Sequence, residues 1–320
     1  FADTCFRQFG NQVHLWSTVN EPGWATLNGY LTGLHPPCRH DPAAAIQVAT
    51  NFLIAHARAA RRYHELGQDG HIGIALNFSP VFPATNEAWD REAADLADAM
   101  FNRWFYQPLM TGAFPEKALA LYRQHSLLPV LSPDDRALLE RPSLDFLGIN
   151  YYYPHHASAD APETAFHLNI SGQQQEECLF AIKGLFRFVR KSGGHYTNWA
   201  WEIDPEAFLE GLLRVNTLRP GLPVYITENG IGLIEKLTDR TVDDRERIEY
   251  VRVHLEAVHR AMSAGVNVRG YYMWSLMDNF SWLNGFKKRY GFLYIDRQTL
   301  DRFPKKSAAW FREVIRRRGF

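Results

Sequence analysis

Five runs of apolar and β-branched residues punctuate the chain, at 13–19, 72–77, 144–150, 224–227 and 270–275. None alternates cleanly between apolar and polar, the pattern expected of strands covered on both faces. Between and after them, apolar positions recur at helical spacing over 42–66, 90–107, 205–215, 245–262 and 305–317, and residues 5–10 read as the end of a further helix. Asp41-Pro42 and Asp204-Pro205 place a capping aspartate before a first-turn proline. The alternation predicts parallel βα units. The longest stretch without such a pattern, about 153–198, is expected to be irregular and to shape the mouth of a binding site.

The residues with chemical potential gather where these runs end: Asn20 and Glu21, Asn77, Asn150 and Tyr152, Glu228 and Asn229, and Trp274. Parallel α/β folds build their sites at the carboxyl ends of strands, so the pattern predicts one shared cleft. Pro22 is expected to keep Glu21 extended, and Gly230 to leave room for a ligand against the backbone. A lone glutamate at a strand end reads as a solvated or salt-bridged residue. Two of them, each beside an asparagine, point to chemistry done by a carboxyl pair.

Composition narrows the class further. With 320 residues, 46% of them hydrophobic, the chain can bury a large core without staples. Its 35 basic and 35 acidic residues cancel, so no overall field favours nucleic acid or an anionic membrane. Cys5, Cys38 and Cys178 are few, odd in number and widely spaced, which predicts a reducing, cytoplasmic setting; no run is apolar enough to span a membrane. The groups His35 to His40 and His155-His156 lack a second set of ligands at metal spacing and read as loop or rim residues. His56, on an apolar helix face, reads as structural.

Asn20-Glu21-Pro22 and Thr227-Glu228-Asn229-Gly230, with 145–152, 199–205, 274–280 and 288–291 in that order, make the whole chain similar to glycoside hydrolase family 1, the β-glucosidase-like retaining enzymes. The resemblance implies one catalytic (β/α)8 TIM barrel domain over 1–320, no cofactor and no metal, Glu21 as general acid/base and Glu228 as nucleophile. It also implies that Asn20 contacts the sugar 2-hydroxyl, that Tyr152 hydrogen-bonds the nucleophile, and that Asn150, Trp274 and Trp282 belong to the sugar site. Trp199 and Trp201 are left open between core and cleft.

Family members that cleave unmodified glucosides usually carry a glutamate seven residues after the tryptophan matched by Trp274, where this chain has Ser281. Ser281, Lys288 and Tyr290 match the phosphate-binding trio of the family's 6-phospho-β-glycosidases in identity and spacing. A hydroxyl, an ammonium and a phenol can surround a phosphate. The implied substrate is therefore a 6-phospho-β-glucoside or -galactoside, with an unphosphorylated β-glucoside as the alternative; the competing view of the trio is a solvated Lys287-Lys288-Arg289 face. Aglycone and oligomeric state are not legible.

Five strands stand where the barrel needs eight. By resemblance, Asn-Glu-Pro ends the fourth, so strands one to three, with a sugar-binding glutamine, a histidine and an arginine, have no counterpart here. Either the sequence is a cropped form of a working hydrolase, or it is a short product that is inactive or needs a partner. A sugar-binding pseudoenzyme fits poorly, because both glutamates are kept.

Overall fold

The computed structural model describes residues 1–173 and 176–320. Ten α-helices are described: α1 (Ala2–Phe9), α2 (Pro22–Thr26), α3 (Pro42–Glu65), α4 (Ala88–Asp98), α5 (Trp104–Thr111), α6 (Glu116–Gln124), α7 (Pro133–Leu139), α8 (Pro205–Leu218), α9 (Arg245–Ser263) and α10 (Lys306–Arg317). The described strands are β1 (Leu15–Asn20), β2 (His71–Asn77), β3 (Val81–Pro83), β4 (Phe146–Tyr151), β5 (His155–Ser158), β6 (Ala165–His167), β7 (Leu179–Ile182), β8 (Phe186–Val189), β9 (Val224–Asn229), β10 (Val268–Met273), β11 (Leu293–Ile295) and β12 (Arg302–Pro304).

All five runs expected from the apolar pattern are strands, and they form one parallel sheet in the order β1-β2-β4-β9-β10. The order rises with the sequence and never reverses, so each new strand is added at the same edge. The crossovers between these parallel strands carry α3, α8 and α9, which pack against the sheet. The main core lies between this sheet and those helices, with Leu53, Ile74, Ile149, Phe208, Leu212 and Ile226 buried in it.

Burial on both faces holds only for the inner strands. Every residue of β4 is buried, whereas β1 and β10, hydrogen-bonded on one side only, leave Leu15 and Tyr272 exposed. Helix α3 begins as its sequence predicts: Asp41 Oδ1 accepts from Ala44 N at 3.0 Å, with Pro42 in the first turn. Asp204 caps α8 in the same way, from Ala207 N at 2.9 Å. The helix expected over 90–107 is interrupted by a π-helical turn, Ala99–Arg103, where buried Asn102 leaves the helix pattern to bind Ser79 N and O.

The stretch expected to be irregular is not. Within 153–198 lie β5 to β8, which with β3 make a second sheet in the order β3-β5-β8-β7-β6; residues 174 and 175 of that stretch lie outside the described part. Its strands are three or four residues long, too short for a periodic signal. Phe180, Phe186 and Phe188 pack edge-on to Phe101, with ring centroids 5.1 to 6.0 Å away. That cluster fastens the sheet to the π-helical turn. Among the described residues, no helix is long and apolar enough to cross a membrane.

Leu53 is fully buried between α3 and the sheet. Leu53→Ala should cost about 3 to 5 kcal/mol, transfer loss plus cavity, seen as a lower urea midpoint with an unchanged slope.

Candidate active site

The register brings the strand ends together. Asn150 lies directly beside Asn77 on β2 and Glu228 on β9, and Asn20 ends β1 one strand further along. Asn20, Glu21, Asn150, Tyr152, Glu228, Trp274, Ser281, Trp282, Lys288 and Tyr290 all line one cavity of about 580 Å³. Its outer wall comes from the second sheet and its flanks, including Ile170, Phe180, Phe188 and Arg190.

Glu21 does not stay extended as the following proline suggests. Its backbone is left-handed, φ 49° and ψ 54°, and it caps α2, with Pro22 as the first helical residue. Proline disfavours the right-handed helical region for the residue before it, but the left-handed basin remains open at a cost of about 1 to 3 kcal/mol for a side-chain-bearing residue. Glu21 N continues the ladder onto Ala75 O at 2.8 Å, so the turn follows the last sheet hydrogen bond.

A chain of amides joins the two carboxylates. Asn150 Nδ2 donates to Glu21 Oε1 at 3.1 Å and to Asn20 Oδ1 at 3.0 Å, and Asn20 Nδ2 reaches Glu228 Oε1 at 3.5 Å. Thr227 Oγ1 donates to Asn150 Oδ1 at 2.5 Å, which fixes which way that amide faces. Tyr152 O–H donates to Glu228 Oε2 at 2.6 Å.

The two acids sit in different electrostatic settings. Burial pushes Glu21 up to about 7, and the neighbouring Glu228 charge pushes the same way, against one donor, Asn150. Burial, the larger effect, raises Glu228 too, but the hydrogen bonds from Tyr152 and Asn20 pull the other way. Glu21 is therefore the last of the pair to lose its proton.

Glycine at 230 serves a different purpose from the one expected. A Cβ there would sit 2.0 Å from the Trp274 carbonyl oxygen, so the glycine admits the neighbouring backbone, not a ligand. Trp274 N donates to Asn229 O at 2.9 Å across that approach. Buried Asn229 anchors the carboxyl end of β9, beside Glu228, through Tyr151 O at 2.8 Å, Tyr250 at 3.1 Å and Tyr271 at 2.6 Å. Asn77, also at a strand end, accepts from Trp24 N at 3.1 Å and braces α2.

Lys288 is not on a solvated face. It is 4% exposed, with Nζ 3.1 Å from the Trp201 ring centroid, 5.0 Å from that of Trp199 and 5.4 Å from that of Tyr290. Among the described residues no carboxylate comes within 4.0 Å of it, and burial holds its amine well below the usual lysine range. Ring faces return only about 0.5 to 2 kcal/mol of the lost hydration, so the charged form of this amine is disfavoured until an anion lies against it. Ser281, half-buried in a turn closed by Ser281 N to Gly285 O at 2.8 Å, lines the same cavity, as does buried Tyr290. Trp282 is 70% exposed at the rim, 5.8 Å ring to ring from His35.

Trp199 proves to be wholly buried core, and Trp201 a cavity wall. His56 is buried and bonded to Thr18 Oγ1 at 2.8 Å. Sequence reasoning missed Thr227, Tyr250 and Tyr271, whose roles depend on partners far along the chain.

The chain matches the family model for glycosyl hydrolase family 1 over residues 1–320. It is 36% identical to a 6-phospho-beta-galactosidase of Clostridium acetobutylicum, over 98% of this chain and 68% of that protein. It is 34% identical to the 6-phospho-beta-glucosidase GmuD of Bacillus subtilis, over 100% and 68% respectively. Among solved structures, a family 1 β-glucosidase from Thermotoga maritima superposes with a TM-score of 0.88 at 32% identity, covering 100% of this chain and 67% of that one. A beta-glucosidase from Exiguobacterium marinum gives 0.88 at 34% identity, covering 99% and 68%. The chain thus spans about two thirds of the length of these relatives.

Proposed function

Because the chain belongs to glycosyl hydrolase family 1, we propose that it is a retaining β-glycosidase whose substrate carries a phosphate on the sugar 6-position. On this reading the five-stranded sheet is an arc of a (β/α)8 barrel, and Glu21 and Glu228 are its acid/base and its nucleophile. Glu228, whose ionised form accepts from Tyr152 and Asn20, attacks the anomeric carbon. Glu21, protonated because its carboxyl is raised to about 7, gives its proton to the departing glycosidic oxygen. Forming the glycosyl ester removes the negative charge that helped raise Glu21, so its pKa falls and it accepts a proton from the water that cleaves the ester. Asn20, held by Asn150, is placed to bond the sugar 2-hydroxyl, and Trp274 and Trp282 offer ring faces to the sugar.

The observation that carries the phosphate assignment is Lys288, a buried amine with no carboxylate against it among the described residues, which would take up its proton fully only beside an anion. A 6-phosphate would supply the missing charge, with Ser281 and Tyr290 as neutral donors. Cytoplasmic location fits the three free cysteines. An unphosphorylated glucoside brings no counter-charge and would leave the buried amine shifted toward its neutral form, so Lys288 would add no charge to its binding.

The test is a paired assay, on a version with the complete barrel, of 4-nitrophenyl 6-phospho-β-glucoside or -galactoside against the unphosphorylated parents. Phosphorylated substrates should be preferred in kcat/KM. Lys288→Met should remove about 2 to 3 kcal/mol of that preference, roughly 30- to 150-fold. Equal or better use of the parents by the unaltered protein would sink the phosphosugar reading.

A further inference from the structure

Behind the cavity wall lies a group of buried charges that the proposed chemistry does not use. Arg247, in the first turn of α9, is fully buried, yet it is fully engaged. Its Nη1 donates to Ile231 O at 2.5 Å and to Tyr290 O at 3.0 Å, and its Nη2 to Arg289 O at 3.3 Å. Nε binds Asp244 Oδ2 at 2.9 Å, and Nη2 also meets Glu235. One guanidinium thereby ties together the segment that follows Glu228 and the segment that carries Lys288 and Tyr290.

The surrounding groups stiffen that joint. Lys305 bridges Glu235 and Asp278, while Asp278 receives Arg289 at 2.6 Å and Gly291 N at 2.9 Å. Leu233 and Arg289 exchange backbone hydrogen bonds at 2.9 and 3.0 Å. Three cations, Arg247, Arg289 and Lys305, face three carboxylates, Glu235, Asp244 and Asp278, so the cluster is balanced and has no charge to spare for a ligand.

We propose that Arg247 is a positioning residue for specificity: it sets the distance between the nucleophile and the anion-binding segment 288–290, and so determines how far the enzyme favours a phosphorylated sugar. This rests on the phosphosugar reading above. The nucleophile has its own anchor in Asn229, with Tyr151, Tyr250 and Tyr271. Loosening Arg247 therefore frees the anion-binding segment rather than Glu228. A planar fork can span three carbonyls and two carboxylates at once; an ammonium cannot.

Arg247→Lys keeps the charge balance while giving up that span. With 4-nitrophenyl 6-phospho-β-glucoside, KM should rise about tenfold, the value of one misplaced charge-assisted hydrogen bond, with kcat within about threefold of the parent protein. KM for the unphosphorylated glucoside should stay within about twofold. Asp278→Asn, which loosens Arg289 and Gly291 from the other side, should shift the same KM in the same direction, and it carries the test if Arg247→Lys does not fold. Equal losses on both substrates, or an unchanged KM for the phosphorylated one, would overturn the assignment while leaving the phosphosugar reading intact. Preference of the unaltered protein for the unphosphorylated substrate would overturn both.

Discussion

Replacing Glu228 with glycine should lower turnover of an aryl 6-phospho-β-glycoside by on the order of 10⁵-fold or more, the scale of losing a covalent nucleophile. The fold should survive. Glu228 ends β9, and its side chain is held by groups of the cavity wall, Tyr152 O–H and the Asn20 amide, not by the core. The strand itself is fixed by Asn229 and by pairing with β4 and β10. Removing a carboxylate that burial disfavours also lifts a desolvation cost. The space left should admit a small anion such as azide, which would attack the same face and give an inverted glycosyl azide. Near-normal hydrolysis by the glycine variant, or recovery by azide with retained configuration, would remove Glu228 from its assigned role.

Glu21→Gln should have the second largest effect, and its size should depend on the leaving group. A general acid is worth about 10² to 10⁴ where the departing oxygen needs a proton. In kcat/KM, which reports the first step, the loss should therefore be near the upper end for an alkyl aglycone and small for 2,4-dinitrophenolate, which leaves unprotonated; kcat should fall for both, because the glycosyl ester then lacks its base. The pH profile gives an independent reading. The proposed mechanism needs Glu21 protonated and Glu228 ionised, so kcat/KM should fall as pH rises through about 7, where Glu21 loses its proton. It should fall again on the acid side as Glu228 is protonated. In Glu21→Gln the alkaline limb should vanish and the acid limb should remain. A limb near 7 that persists unchanged would mean that another group supplies the proton.

How much of this was legible in the residues depends on the range over which each signal acts. The five sheet strands were readable because runs such as 144–150 are buried on both faces and so lack polar positions. The caps of α3 and α8 were readable because an aspartate three residues before its amide partner is a local device. The second sheet was not, since strands of three or four residues carry too little pattern. Glu21 was placed at the right end of the right strand, but its backbone basin was misjudged, because a following proline excludes one helical region and leaves two others to be chosen by the fold. Gly230 was singled out for the wrong neighbour, as only the packed structure shows the Trp274 carbonyl against it. Arg247 gave no sequence signal at all, and Thr227, though part of the motif around Glu228, gave none of its bond to Asn150. An arginine opening a helix reads as a solvated residue until its partners, sixteen and more than forty residues away, are folded onto it.

The left-handed backbone of Glu21 sets conformational ease against catalysis at a single position. Glycine or asparagine occupies that basin at lower cost, so the substitutions most comfortable for the chain are also ones that would abolish the proposed proton donation. Mutational drift judged by thermostability alone would move position 21 away from glutamate, and only selection for sugar turnover would hold it there.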